Sequence, residues 1–323
     1  MRRAMHRWNC SIAIAFLVIT FRTSIAQAPA SAADGFVLLQ AGKAEDARTA
    51  FEAVLNSRPE DPQAQDGEVK ASEAVALKER SAGNMVDALR ALMRAQDFAP
   101  RNAHLLFDLG VLEEEMRLYP DAEKILAQAI EIDPGNPENY YALARVQIDE
   151  GELALAGKNM KIYLTSRPDD ASAHYGLGRV YELGMQFDQA RAELQRSIDL
   201  QPVQTEAYYE MGDIALKQDK YDEALSYFQK VLARDGRHAG ALADAGQVLF
   251  REKRYQEALD CLRRAVAAAP AYEPGHYYLG LTLNRLGQKE ESERELQTAQ
   301  KLADEDNKNA ARRYQVSRVP ESQ

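Results

Sequence analysis

The sequence predicts an all-α protein, a solenoid of about eight antiparallel helix-turn-helix units, because three kinds of marker residue recur together. An alanine stands at Ala47 and Ala88 and then every 34 residues as far as Ala258, with Ser292 in the next place. Periods of about 20 to 50 residues are typical of solenoids and related arrays. The other two markers, a closing proline and an early small residue, keep the same spacing. They are Pro59, Pro100, Pro134, Pro168, Pro202 and Pro270, with Gly236 in the place between the last two, and Gly35, Ala76, Gly110, Ala144, Gly178, Gly212, Gly246 and Gly280.

Each unit is predicted to be a pair of amphipathic helices. In residues 205–238, Tyr208 and Met211 belong to the first apolar face, and Ala224 and Phe228 belong to the second. Steps of three and four between apolar residues indicate one buried face per helix. The small residue of each helix allows a close approach of the pair. The proline then ends the second helix and begins the turn into the next unit.

The marker residues resemble those of the tetratricopeptide-repeat (TPR) family. The matching residues are Leu109-Gly110, Leu177-Gly178, Tyr181, Met211-Gly212, Leu279-Gly280, Phe228, Ala129, Ala265 and Ala299. The resemblance implies a right-handed α-solenoid, or superhelix, with atypical units at both ends. It covers a TPR array over residues 27–306, with units at about 28–61, 69–102, 103–136, 137–170, 171–204, 205–238, 239–272 and 273–306.

Two stretches fall outside the 34-residue period. The first step between markers is 41 rather than 34, which leaves seven additional residues at about 62–68. They either begin the next helix almost two turns early or form a polar loop. Residues 307–323 form a polar C-terminal tail, in which we expect residues 310–316 to continue as helix and residues 318–320 to fray.

The first 26 residues have the layout of a secretory signal peptide. Arg2, Arg3 and Arg7 precede an apolar stretch over residues 11–21, and small residues stand at Ser24 and Ala26. We expect cleavage near Ala26 and a secreted or periplasmic protein. The alternative is an uncleaved anchor in an inner membrane with the array outside the cytoplasm, although the apolar core is short for a span. Its continuity disfavours a mitochondrial transit peptide.

Composition narrows the classes of partner. The formal net charge of −10 disfavours a nucleic-acid binder that works through phosphate contacts. Cys10 and Cys261 are too few for a disulfide framework or a cysteine-rich zinc site. Cys261 lies in a helical apolar pattern and is interpreted as a small buried hydrophobe.

The resemblance implies that the first helix of each unit lines a concave inner face. The residues after the large packing position of that helix are expected to point into the groove. We refer to this series as the strip: Phe107, Tyr141, Tyr175, Tyr209, Ala243 and Tyr277, followed one turn later by Val111, Arg145, Arg179, Asp213, Gln247 and Leu281. Tyrosine and arginine are frequent binding hot spots, so the strip is a candidate surface for an extended or helical peptide.

Two points of this interpretation have alternatives. Instead of lining a groove, the tyrosines of the strip pack between helices, with their hydroxyls at the surface. Glu114, Glu115, Asp149 and Glu182, further along the same helices, lie either at the edge of the groove or on the solvated surface.

No catalytic constellation, cofactor motif or metal-ligand pattern is found. His174 and His276 occupy the large packing position that Tyr140 and Tyr208 share, and no phosphate loop or nucleophile elbow occurs. The sequence therefore predicts a non-enzymatic, exported scaffold that binds a protein or peptide partner, in envelope assembly or secretion. The alternatives are a membrane-tethered assembly factor of the envelope and, less favoured, a glycan-binding protein.

Overall fold

The structure, a computed structural model, describes residues 31–316, with side chains as far as residue 308. The described part contains helices and no strand, which confirms the predicted all-α class. The signal-like segment, Cys10 and residues 317–323 lie outside it. The helices are α1 Ala32–Gln40, α2 Ala44–Leu55, α3 Pro62–Ser81, α4 Met85–Phe98, α5 Ala103–Glu115, α6 Tyr119–Ile132, α7 Pro137–Glu150, α8 Leu153–Ser166, α9 Ala171–Leu183, α10 Phe187–Leu200, α11 Glu206–Lys217, α12 Tyr221–Leu232, α13 Ala239–Arg251, α14 Tyr255–Ala268, α15 Glu273–Arg285 and α16 Lys289–Val316.

The chain divides into two compact regions, Met1–Val75 and Ala76–Gln323. In the first region, the fully buried ring of Phe51 lies 4.9 Å from the ring of Phe36, edge on. A Cβ atom on Gly35 or Gly67 would lie within 2.5 Å of Cε1 of Phe51. These two glycines are therefore required by the close packing of their helices against one aromatic ring.

The seven additional residues are helical. α3 begins at Pro62, and Asp61 accepts a 3.0 Å hydrogen bond from the backbone N–H of Ala64. A proline at the first helical position and an acidic side chain before it are typical of a helix start. The polar-loop alternative for residues 62–68 is thus wrong, and α3 has 20 residues.

In the second region, consecutive helices pack as hairpins, with the small residue of one helix facing a large residue of the other. A Cβ on Gly212 would lie 2.6 Å from the ring of Phe228, and one on Gly178 would lie 2.8 Å from Leu194. The marker alanines of the second helices are fully buried: Ala122, Ala156, Ala190, Ala224 and Ala258. Ser292 takes the alanine position in α16 because its hydroxyl donates to the backbone oxygen of Gly280 at 2.7 Å.

The hairpin turns share one backbone conformation. Arg117, Met185, Asp219 and Lys253 have φ angles of 56° to 63°, and Gly151 and Gly287 take the equivalent places with φ near 80°. The left-handed region costs an ordinary side chain about 1 to 2 kcal/mol, so the turn geometry is imposed by the packing of the two helices.

α16 extends through residue 316, which agrees with the expectation that residues 310–316 continue as helix. Within residues 31–316, no helix is both long enough and apolar enough to cross a bilayer.

Candidate partner-binding surface

The tyrosines of the strip connect consecutive repeats. The hydroxyl of Tyr175 donates to Oε1 of Glu210 at 3.2 Å, and the hydroxyl of Tyr209 donates to Oδ2 of Asp244 at 2.7 Å. In both pairs the acceptor follows 35 residues later, on the next first helix. These hydroxyls therefore hold neighbouring repeats together.

The rings of these tyrosines are partly buried against other helices. The ring of Tyr209 lies 5.0 Å from that of His238 and 6.0 Å from that of Phe228, and the ring of Tyr141 lies 4.8 Å from that of Tyr163. Tyr141 and Tyr209 are thus half-buried residues whose rings take part in packing.

The strip differs along its length. Tyr277 is 43% exposed, with its ring edge on to Tyr278 at 5.2 Å. Phe107 and Val111 pack against the buried cluster that contains Leu126. Position 243 carries a buried alanine, which interrupts the aromatic series in that repeat.

The two arginines of the strip bind carboxylates of adjacent helices. Nη2 of Arg145 lies 2.7 Å from Oε1 of Glu114, and Nε of Arg179 lies 3.5 Å from Oε1 of Glu210. Glu210 therefore contacts both a tyrosine and an arginine of the preceding repeat. Each arginine of the strip is thus already paired with a carboxylate.

A further charge cluster centres on Lys217, at the end of α11. Its ammonium group is paired with Glu182 of the preceding repeat and lies 2.6 Å from Oδ2 of Asp213, a residue of the strip. Glu114 and Glu182 are 7% and 5% exposed, so the solvated-surface interpretation is wrong for these two. Their burial makes the pairing energetically significant.

Acidic groups outnumber basic ones among the strip residues and their partners, and burial raises the pKa of two of these acids. The acids are Glu114, Glu182, Glu210, Asp213 and Asp244, and the bases are Arg145, Arg179 and Lys217. Desolvation raises the pKa of Glu210 against the lowering effect of Arg179. Desolvation also raises the pKa of Asp244 to about 6, although the hydrogen bond from Tyr209 lowers it.

Sequence reasoning missed Glu210 and Asp244. Each is the residue directly after a strip position, as Asp108 is after Phe107, so an acid at that place was the available signal. The sequence alone did not indicate that this neighbouring position reaches the tyrosine of the preceding repeat.

The histidines in the large packing position are structural. Nε2 of His174 lies 3.0 Å from the carbonyl oxygen of Pro168 and its Nδ1 lies 2.6 Å from Glu193. His276 repeats this arrangement with Pro270 and Glu295, and the hydroxyl of Tyr140 donates to the carbonyl of Pro134. The position therefore connects a first helix to the proline that closes the preceding unit.

Paired helices stacked by such recurring contacts define a helical-repeat scaffold. Two family profiles, both described as tetratricopeptide repeat, match the chain. One matches residues 141–205, 181–236 and 209–273, and the other matches residues 79–146 and 116–158. Together these matches cover more than half of the sequence, and the chain belongs to the tetratricopeptide-repeat proteins.

One curated relative is similar over part of its length. It is the cellulose synthase operon protein C of Pseudomonas fluorescens (strain SBW25), 28% identical over 155 residues. The match includes 47% of this chain and only 12% of that protein.

Solved structures share the fold. A tetratricopeptide repeat protein from Parabacteroides merdae ATCC 43184 has a TM-score of 0.55 at 16% identity, over 78% of this chain and 96% of that one. The APC/C hetero-tetramer Cut9–Hcn1 has a TM-score of 0.59 at 16% identity, over 83% of this chain and 52% of that one. At this identity the likeness concerns the fold.

Proposed function

We propose that this protein is a non-enzymatic scaffold, exported from the cytoplasm, that binds peptide segments of partner proteins along the strip. Its proposed setting is the assembly of the cell envelope or secretion. The proposal of export depends on the signal-like layout of residues 1–26. The proposal of peptide binding depends on the strip.

The single observation that best supports peptide binding is the fixed, mixed chemistry of the strip. Tyr175 and Tyr209 are held by hydrogen bonds to the next repeat, and Arg145 is held by Glu114. Groups that are held in place before a ligand arrives lose little conformational entropy on binding. Ring edges, hydroxyls and charged pairs side by side suit a polypeptide backbone with both polar and apolar side chains.

Site-specific photocrosslinking tests this proposal without disturbing the packed tyrosines. A photoreactive phenylalanine analogue replaces Arg145 or Tyr277, which are exposed on the strip, and, as a matched control, the off-strip Val203, which is 75% exposed. We expect the two strip positions to give the same protein adduct in the native cell and position 203 not to give it. Equal adducts at all three positions would contradict the strip as the binding surface.

Sequencing the N-terminus of the native protein separates export from tethering. A mature chain that starts near Gln27 supports cleavage, whereas a chain that retains residues 1–26 supports the membrane-tethered alternative. Neither outcome affects the photocrosslinking test, because that test concerns the strip and not residues 1–26.

A glycan is the second candidate ligand, because the partial relative is named for a cellulose synthase operon and the strip carries tyrosine rings. A ligand that binds only the folded state raises the melting temperature. A rise with cello-oligosaccharides that is lost in Tyr277→Ser would favour this candidate over a peptide.

A further inference from the structure

A groove lies between α8 and α9, away from the strip. It has a volume of about 710 Å³. Its apolar lining includes Leu153, Ile162, Val180 and Tyr181. Ile162 is 37% exposed, whereas Val180 is only 5% exposed. The groove therefore has a buried floor and an exposed apolar edge.

The groove and the strip use opposite faces of α9. Tyr175, Arg179 and Glu182 follow one another at steps of four and three on the strip side. Val180 and Gly184 line the groove and are four residues apart. At 3.6 residues per turn the two sets lie on opposite sides of the helix, so a ligand in the groove does not compete with one on the strip.

A glycine of the groove lining stands where the other units have larger side chains. Gly157 lines the groove, in the middle of α8. The equivalent places in the other units, at the same repeat spacing, carry larger side chains: Arg48, Leu89, Glu123, Arg191, Leu225, Leu259 and Glu293. In this unit the position carries no side chain at the surface of the groove.

Packing does not require a glycine at this position. A Cβ on Gly157 would meet Cγ1 of Val180 at 3.4 Å, an ordinary contact, unlike the glycines that face large side chains. A glycine inside a helix costs about 1 kcal/mol relative to alanine. Glycine is therefore less favourable for the helix than alanine at this position, and packing gives no reason for it.

The groove is basic on an acidic chain. Lys158 and Lys161 line it, and none of its lining residues is acidic. Nζ of Lys161 lies 5.3 Å from the centroid of the Tyr181 ring. Among the described residues, neither lysine forms an ion pair with a carboxylate, so both ammonium groups can bind an acidic partner.

We propose that this groove binds an amphipathic helical segment of a partner protein, with apolar side chains one turn apart flanked by carboxylates. A groove between two helices accepts the apolar ridge of a third helix. The lysines select the acidic flanks by charge complementarity. The occupant and the proposed peptide ligand of the strip are thus different segments.

Fluorescence anisotropy with synthetic helical peptides tests the proposal on the full chain. The probe has leucines one turn apart flanked by glutamates; one control peptide has lysines for the glutamates and another has serines for the leucines. We expect binding of the acidic leucine peptide alone, weakened at least about tenfold by Gly157→Leu and by Lys158→Glu/Lys161→Glu. Val203→Ser, at an exposed position outside both the groove and the strip, is the control that leaves binding unchanged.

Gly157→Leu is expected to fold, because Leu225 and Leu259 occupy the same place in other units. The lysine variant alters exposed groups and keeps the test valid if the leucine variant does not fold. Absence of binding to the unaltered protein, or binding by both variants as tight as that of the unaltered protein, would overturn the proposal. Self-association that Gly157→Leu abolishes, without peptide binding, would assign the groove to a second copy of the chain and overturn it as well.

Discussion

The hydroxyl of Tyr209 donates a 2.7 Å hydrogen bond to the carboxylate of Asp244, 35 residues later in the chain. The pair joins α11 to α13, the first helices of two consecutive repeats. Desolvation is the largest influence on both groups and raises the pKa of each. The bond is therefore made in a poorly solvated environment, where a hydrogen bond to a charged group contributes more than at the surface.

Tyr209→Phe should destabilise the array while leaving the ring in place. A hydrogen bond to a charged group contributes about 1.5 to 3 kcal/mol, and loss of the donor leaves Asp244 without it. Urea denaturation would measure the change in the free energy of unfolding. Tyr277→Phe is the matched control, since Tyr277 is 43% exposed and no hydrogen bond of its hydroxyl is found within residues 31–308.

A double-mutant cycle isolates the bond itself. If Tyr209→Phe and Asp244→Asn together cost as much as the sum of the two single changes, the residues are not coupled and the pair does not stabilise the interface. We expect a coupling energy of about 1 kcal/mol or more.

Two glycine-to-alanine substitutions should change the stability of the protein in opposite directions. In Gly212→Ala the new Cβ would lie 2.6 Å from the ring of the fully buried Phe228. Overpacking of this kind costs about 1 to 3 kcal/mol. In Gly157→Ala the contact at 3.4 Å is ordinary, and the gain in helix propensity is about 1 kcal/mol. Melting temperatures of the two variants would test this; a drop in both would show that Gly157 is needed for packing.

The fold could be predicted from the sequence because each marker residue performs one local packing task. Gly212 faces Phe228, and Ala224 is fully buried, so substitutions at these places are strongly restricted. A restriction that recurs with each repeat appears as a period. The same restriction fails at Ser292, where a hydroxyl bonded to Gly280 substitutes for an alanine methyl.

The site could be predicted only in part, since it depends on contacts between repeats. The strip positions follow from the helical period, but the partners of its side chains come from the next unit. Glu210 and Asp244 carry no mark in the sequence that shows which tyrosine each one reaches. Glu182 resembles a surface charge until its neighbour Lys217 is placed beside it.

The thiol of Cys261 should react slowly in the folded protein. Cys261 is half-buried, and desolvation raises the pKa of its thiol, with a smaller lowering effect of Arg264. Less thiolate means slower attack on an aromatic disulfide reagent. We expect slow release of the aromatic thiolate from the reagent with the native protein and fast release in denaturant. The Cys261→Ser variant should give no release if cleavage near Ala26 has removed Cys10.

The same titration tests the predicted cleavage. The full sequence has two cysteines, and Cys10 lies within residues 1–26. A protein that has lost this segment releases one equivalent of reagent per chain in denaturant. Two equivalents would show that the segment is retained.

Glu113 should make the protein less stable as the pH rises. Its side chain is buried in α5, and desolvation, with a further contribution from Asp121, raises its pKa from 4.5 to about 7. Between these values the folded protein holds a proton that the unfolded chain has released, so folding is favoured by acid in this window. The contribution is full below about pH 4.5 and is lost as the pH rises through about 7.

Glu113→Gln removes this dependence because an amide stays neutral at all these values. At about pH 8 the variant should be more stable than the unaltered protein by roughly 1 to 3 kcal/mol, since one unit of pKa corresponds to about 1.4 kcal/mol. At about pH 4.5 the two proteins should unfold at nearly the same urea concentration. Glu293→Gln, at an exposed position of α16, is the control and should leave the difference between the two pH values unaltered. If Glu113→Gln brings no gain in stability at the higher pH, the buried carboxylate ionises without penalty, through a partner or water that compensates its charge.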